Sequence, residues 1–109
     1  MAKYDAIAGV ISMKNRERFE RVIKSDCRGG GAFIDDNGNT CAVGGLLIDL
    51  GYTHDELSLV TTMVEMRKCE RRVMEVYGLS QGDLGAIYTA NDNYVMPAER
   101  IEAILALDL

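Results

Sequence analysis

The chain has 109 residues, 48% of them hydrophobic and 27% charged, which is the composition of a globular protein and not of a disordered segment. This length fits one domain, residues 1–109, with a core large enough to fold without a disulfide or a metal. Twelve Lys and Arg against seventeen Asp and Glu give a net charge of −5, which disfavours a general nucleic-acid binder because such proteins carry a basic excess.

The first predicted element is helical and runs from Tyr4 to about Lys24, as one long helix or as two short ones. Asn15 is a candidate cap for the second of these helices. Glycines at 29–31 then end the helical pattern, and Asn and Gly around Gly38 favour a tight turn. We therefore expect a short extended or loop segment near residues 29–40, with a minor hairpin as the alternative.

The central predicted helix begins at Cys41, with Thr40 as its N-cap and Gly51 just past its end. Gly44 and Gly45 lie inside it, and each costs about 1 kcal/mol of helix stability relative to Ala. Such a pair is expected where another backbone packs very closely. We therefore predict a structural role for both glycines and a central position for this helix.

Thr53 and Glu56 have the spacing of a capping box and precede an apolar run. They predict a helix that continues to Tyr77 and is closed by Gly78, with a break allowed near residues 61–62.

Ser80 is the predicted cap of the next helix, which runs to about Ala90 and is followed by a turn at residues 91–93. Pro97 is suited to the first position of a final helix. The fold class predicted from these elements is mainly α, a compact bundle of about five helices. An α+β fold is the alternative if residues 29–40 pair as a hairpin.

Cys27, Cys41 and Cys69 are odd in number and far apart, which favours free thiols in a reducing cytoplasm. Together with His54 they match the ligand types of structural zinc, but their spacing lacks the short Cys-x-x-Cys pairs of such sites. We predict no metal and no cofactor. No apolar run approaches the roughly 18 residues of a membrane span, so no membrane association is expected.

Cys41 is the one candidate nucleophile, because a helix start lowers the pKa of a thiol and offers N–H donors to an oxyanion. In a cysteine-dependent amide or ester hydrolase, His54 would be the base and Asp92 or Asn91 would orient it. The alternative, which we favour, is a buried structural cysteine.

A basic cluster lies in the helix before Tyr77. It admits two interpretations, a solvated helix face or a docking patch for an acidic partner, and we retain the patch as the partner-binding candidate. Within it the like charges four residues apart repel each other. The cluster comprises Arg67, Lys68, Arg71 and Arg72.

Residues 80–100 also have features of a helix-turn-helix DNA-binding unit, since a capped helix is followed by a second one. The second helix begins at Pro97 and carries two glutamates where a recognition helix needs Arg, Lys, Gln or Asn. A DNA-binding regulator is therefore a second alternative, and nucleic acid is disfavoured as a partner.

The glycine-rich segment before the central helix and the Asn-Asp pair before the final helix resemble a pattern in short phage and bacterial proteins of unknown function. The resemblance covers about half of the chain. It implies a phage or mobile-element origin and a contact between the start of the central helix and the Asn-Asp pair, where Asn91 would act structurally. The matching residues are Cys41, Ala42, Gly44, Leu46, Asn91, Asp92, Glu99 and Arg100.

The favoured function is binding of a protein partner in the cytoplasm, in an accessory or inhibitor role. This expectation follows from the short chain, its single His and the lack of an assembled catalytic set in the sequence. Met63, Met66, Met74 and the leucines at the end of the chain are expected to supply an adaptable apolar surface, either for the partner or for a second copy in a homodimer.

Overall fold

The computed structural model describes residues 15–26 and 32–109, and within them the chain is mainly α-helical, as predicted. β pairing in this part is limited to one isolated antiparallel bridge between Ile34 and Thr40. The predicted helix before residue 15, the glycines at 29–31 and Cys27 lie outside the described residues. The described helices are α1 (residues 15–22), α2 (Ala42–Asp49), α3 (His54–Ser58), α4 (Met63–Tyr77), α5 (Gln81–Asn93) and α6 (Pro97–Leu105).

Asn15 lies inside α1 and is not its cap. Its side-chain amide is buried and donates to the backbone carbonyl of Tyr77 at 2.9 Å. The expectation of a cap at this position was wrong, because the amide binds the end of α4 instead of an N–H group of its own helix.

Residues 32–40 form a turn that is organised by Asp35. Its carboxylate accepts from the backbone N–H groups of Asn39 at 2.8 Å and of Asn37 at 2.9 Å. The Asn39 bond is the main cause that lowers the pKa of Asp35. Gly38, with φ of +82°, provides the left-handed residue of this turn.

The N-cap of α2 is Cys41 and not Thr40, which corrects the sequence prediction. Thr40 still pairs with Ile34 in the bridge, and the N–H of Cys41 donates to the carbonyl of Phe33 at 3.1 Å. The chain therefore stays extended for one more residue before the helix begins. The Cys41 thiol then accepts from the N–H of Gly44 at 3.4 Å.

Both glycines of α2 face a neighbouring backbone. A Cβ on Gly45 would lie 2.7 Å from the carbonyl oxygen of Val22, and one on Gly44 would overlap the carbonyl oxygen of Phe33. α1 and the 32–40 turn can therefore approach α2 more closely than side chains would permit. The result is that residues 42–47 of α2 are all buried.

The predicted helix after Thr53 is divided in two. The Thr53–Glu56 capping box is present at the start of α3, residues 59–62 interrupt the helix, and Thr62 caps α4 through the N–H of Glu65. Gly78 closes α4 in the left-handed region, with φ of +67°. The sequence allowed a break near residues 61–62, and the structure places it at residues 59–62, between α3 and α4.

α5 is longer than the sequence predicted, since residues 91–93 are helical and do not form a turn. Asn favours turns because its side chain competes for nearby backbone groups. Here the Asn91 side chain binds other parts of the molecule, so this competition does not occur. The chain reverses instead at residues 94–96, and Pro97 begins α6 as predicted.

The core lies around α2, which packs against α4 and α5, while α6 packs on α5. The Cα radius of gyration is 13.6 Å, close to the about 13 Å expected for one compact domain of this length. The largest fully buried apolar side chains are Phe19, Phe33, Leu46, Leu47, Leu57, Ile87 and Ile104.

Candidate functional site

An open groove of about 630 Å³ lies between α4 and α5. We call it the methionine groove, because three thioethers of α4 form much of its apolar lining. Tyr88 also contributes a hydroxyl group to the lining. Its apolar lining consists of Met63, Met66, Met74, Leu84, Tyr88 and Ala32.

Helical spacing explains which face of α4 lines this groove. On α4, Met66 and Met74 follow Met63 by three and by eleven residues. This spacing places all three methionines along one side of the helix. Cys69 and Val73 are four residues apart and point into the core. The methionine face is therefore adjacent to the core face and remains reachable from solvent, with Met63 66% exposed.

The structure divides the predicted basic cluster in two. Arg67 and Arg71 line the methionine groove, whereas Lys68 and Arg72 lie on the same helix but do not line it. All four side chains are exposed, and none forms an ion pair with another described residue. Arg71 and Glu75, which lie four residues apart on the helix, form no ion pair either.

These four cations stand out against the charge of the surrounding chain. Residues 55–109 contain ten acidic and five basic side chains, and the fifth basic residue is Arg100, which is buried. The exposed positive charge of this part of the molecule is therefore concentrated on α4.

Tyr88 joins the two walls of the groove. Its hydroxyl donates to a carboxylate oxygen of Glu70 at 2.5 Å. Burial, followed by this hydrogen bond, raises the pKa of Tyr88 well above its ordinary value, so the hydroxyl remains a donor at neutral pH. The bond fixes α5 against α4.

Behind the groove, Asn91 forms a buried polar contact between three parts of the chain. Its side-chain oxygen accepts from the N–H of Ala42 at 2.9 Å and from the hydroxyl of Ser25. Its amide nitrogen donates to the carboxylate of Asp92 at 3.0 Å. Asn91 thus satisfies a backbone donor at the start of α2 and holds Asp92, which lines the groove.

Arg100 is 6% exposed and connects the α5–α6 loop to Ser25, which follows α1 in the chain. Its guanidinium donates to the carbonyls of Tyr94 and Ser25, both at 2.8 Å, and of Val95 at 3.1 Å. Sequence reasoning missed the role of Ser25 in this contact. The burial of Arg100 had one signal in the sequence, since it lies four residues before the buried Ile104 on the same helix face.

The residues of the hydrolase hypothesis are distributed over different places. Cys41 is 0% exposed, and its thiol caps α2. His54 is the exposed first residue of α3, and no hydrogen bond between described residues joins it to Cys41. Of the three residues, Asp92 is the one that lines the methionine groove. The geometry therefore shows no assembled nucleophile and base.

The cysteines show no metal-binding arrangement in the part of the chain that the structure describes. Cys41 and Cys69 are both buried. Across residues 15–26 and 32–109, no group of three or more His, Cys, Asp or Glu side chains is placed to hold a metal ion. None of the described helices is long and apolar enough to cross a membrane.

α5 and α6 have the short connection of a helix-turn-helix unit, with three residues between Asn93 and Pro97. The surface of α6 nevertheless offers the carboxylates of Glu99 and Glu102, while Arg100 donates to backbone carbonyls in the interior. A DNA major groove requires donors and positive charge from the helix that enters it. α6 presents neither on its exposed face.

Comparison with models of known protein families, with curated proteins and with solved structures finds no match for this chain.

Proposed function

We propose that this protein acts by binding a partner protein, which places an acidic segment with apolar anchors in the methionine groove. The observation that carries this proposal is the juxtaposition of Met63, Met66 and Met74 with Arg67 and Arg71 along one open groove. Thioether side chains are flexible and polarizable, so they adapt to the apolar side chains of a partner.

The two arginines of the groove indicate the kind of partner, since the carboxylates that also line it, Glu70 and Asp92, accept hydrogen bonds from Tyr88 and Asn91. Arg67 and Arg71 are four residues apart on one helix, and like charges at this spacing destabilise a helix by about 0.2–0.5 kcal/mol. No carboxylate of another described residue lies in ion-pair range of either guanidinium. Carboxylates of a bound partner would relieve this repulsion and form charge-assisted hydrogen bonds with both arginines.

A protein fits the groove better than a nucleic acid does. The thioethers and the Leu84 side chain match apolar side chains, which a phosphate backbone does not offer. The net charge of −5 also repels a polyanion at longer range, while a short acidic segment meets the local positive charge of α4.

The proposed role is that of a cytoplasmic accessory or inhibitor protein. The buried thiol of Cys69, which forms no disulfide with a described residue, supports a reducing compartment. The resemblance to short phage and bacterial proteins supports a phage or mobile-element origin. In such a role the protein works by occupying its partner and performs no chemistry itself.

The proposal is tested with two double variants that change the charge equally. R67E/R71E reverses the two arginines that line the groove, and K68E/R72E reverses two neighbouring cations that do not. Both variants and the wild type are used in parallel to capture proteins from cells that express the chain naturally. A candidate retained by wild type and K68E/R72E, but lost with R67E/R71E, is then purified and measured by calorimetry.

We expect R67E/R71E to weaken binding of the purified partner by more than about tenfold, and K68E/R72E by less than about threefold. Equal losses in the two variants would overturn the proposal, since long-range charge and not the groove would then govern binding. The proposal also fails if the species bound through Arg67 and Arg71 is a nucleic acid or a second copy of the chain.

A further inference from the structure

The walls of the methionine groove are two helices whose backbone groups are already used. α4 and α5 satisfy their N–H and C=O groups internally, and their caps come from Thr62 and Ser80. The walls that α4 and α5 form therefore offer no strand edge to which an extended segment could add. An extended segment against Met66 and Met74 would leave its own backbone groups facing thioethers, which costs free energy. A helical segment satisfies its backbone internally and avoids this cost.

The length of the groove agrees with a short helix. Met63 and Met74 are eleven residues apart on α4, which corresponds to roughly 16 Å or about three turns. A helix of three to four turns that lies alongside α4 would present apolar side chains at i, i+3 or i+4, and i+7 to the methionines.

The spacing of the two arginines defines where the carboxylates of the occupant must be. Arg67 and Arg71 are one turn apart, roughly 6 Å along the axis of α4. Glu70, which lies between them in sequence, accepts the Tyr88 hydroxyl on the α5 side of the groove. Two carboxylates four residues apart on one face of a neighbouring helix have the same spacing as the two guanidinium groups.

We infer that the occupant of the methionine groove is an amphipathic α-helix whose two carboxylates, four residues apart, pair with Arg67 and Arg71 while its apolar face covers the methionines. This inference rests on the proposed function and specifies its partner segment. It requires both a helical backbone and the acidic pair, and each requirement is tested separately.

The experiment uses three synthetic peptides and the full-length chain with ¹³C-labelled methionine methyl groups. The first peptide is a helix-forming sequence with Leu at i, i+3 and i+7 and Glu at two flanking positions four residues apart. The second has the same composition with a central Pro, and the third replaces the two Glu by Lys. Met63, Met66 and Met74 report on the groove, and Met96, which is 57% exposed and does not line it, is the control.

We expect the first peptide to shift the methyl signals of Met63, Met66 and Met74 without moving that of Met96. Its affinity should exceed those of the Pro and Lys peptides by at least about tenfold. R67E/R71E should abolish this preference for Glu, while K68E/R72E should retain it.

The outcomes separate the inference from the function on which it rests. Equal groove binding by the first two peptides would overturn the helical occupant while leaving an acidic partner segment intact. Equal binding by the Glu and Lys peptides would overturn the pairing with Arg67 and Arg71. Failure of every peptide to move the groove methyl signals at millimolar concentration, together with loss of any partner in the capture experiment, would overturn the function as well.

Discussion

At the scale of single residues, the Asn91 side chain forms three hydrogen bonds, as many as the Arg100 guanidinium does. It is fully buried and joins α5 to the start of α2 and to Ser25. Because a buried donor without a partner costs more than a hydrogen bond contributes, this one amide matters more for stability than its size suggests. Its place inside a helix, and not in a turn, follows from these external partners.

We predict that Asn91→Ala lowers the free energy of unfolding by about 2–4 kcal/mol, because it leaves the Ala42 N–H and the Ser25 hydroxyl without their acceptor. Urea denaturation followed by circular dichroism measures this loss. Asn93→Ala is the matched control, since Asn93 is exposed on the same helix and should change stability by less than about 0.5 kcal/mol. Equal effects of the two substitutions would refute the structural role of Asn91.

A second prediction concerns two glycines at which substitution by alanine should change the free energy of unfolding in opposite directions. Gly45→Ala should destabilise the protein by about 1–3 kcal/mol, because the new Cβ meets the Val22 carbonyl oxygen. Gly85→Ala in α5 should stabilise it by about 0.5–1 kcal/mol, since nothing lies within 4 Å of that Cβ and Ala is the better helix former. Thermal unfolding of both variants gives the comparison, and a stabilising Gly45→Ala would show that α1 does not pack closely on α2.

At the scale of secondary-structure elements, two adjacent faces of α4 determine where the groove lies. One face, with Cys69, Val73 and Tyr77, is buried in the core. The adjacent face, with its methionines and two arginines, forms one wall of the groove, and Tyr88 of α5 is held against α4 by its bond to Glu70. A functional surface thus arises directly beside the packing surface of the same helix.

The bond between Tyr88 and Glu70 leads to a prediction about these two helices. Tyr88→Phe removes the hydroxyl that joins the two helices. We expect it to lower the free energy of unfolding by about 1–2 kcal/mol, because the acceptor is charged. The groove should also widen, which amide hydrogen exchange would detect as reduced protection in α4 and α5. Tyr94→Phe is the control, since Tyr94 is 42% exposed; a comparable loss there would show that the Tyr88 hydroxyl has no special part in joining the helices.

At the scale of the whole molecule, a cluster of polar and aromatic side chains connects α1, α2 and α4. Arg18 lies 2.5 Å from Asp49 and 4.5 Å above the ring of Tyr77, and the Tyr77 hydroxyl donates to the same carboxylate. Phe19 packs edge-on against Tyr77, with 5.6 Å between ring centroids. This cluster joins three helices that are distant in sequence.

The cluster makes stability depend on pH in a defined direction. Burial raises the pKa of Asp49, but the hydrogen bonds from Tyr77 and Arg18 outweigh it, so the net pKa is lowered. A folded-state pKa below the unfolded value of about 3.9 means that the stabilisation is complete above that pH and is lost as pH falls through the folded pKa.

We therefore expect Asp49→Asn to lower the free energy of unfolding by about 1–2 kcal/mol at neutral pH, and by progressively less below about pH 4. Urea denaturation of wild type and variant across this range measures the difference. Asp36→Asn, in the exposed turn, should have little effect at any pH. A loss from Asp49→Asn that does not shrink in acid would contradict the proposed contribution of the carboxylate.

The sequence by itself predicted the mainly helical fold, the Thr53–Glu56 and Ser80 caps, the closing Gly78 and the start of α6 at Pro97. These features are local: the preference of a capping residue, of a left-handed glycine or of proline depends on atoms within one helical turn. The same local preferences gave the wrong result at Thr40 and at residues 91–93, where partners distant in sequence decide the conformation.

Only the tertiary structure decided which of the four α4 cations line the groove, and that Cys41 is enclosed in the core away from His54. Spacing along a helix shows which residues share a face, but it does not show which other element covers that face. The long-range contacts of Asn91 and Arg100 settle this arrangement, because each joins segments 49 to 75 residues apart in the chain. The sequence thus determined which elements form, and packing between distant segments determined where a surface for a partner remains open.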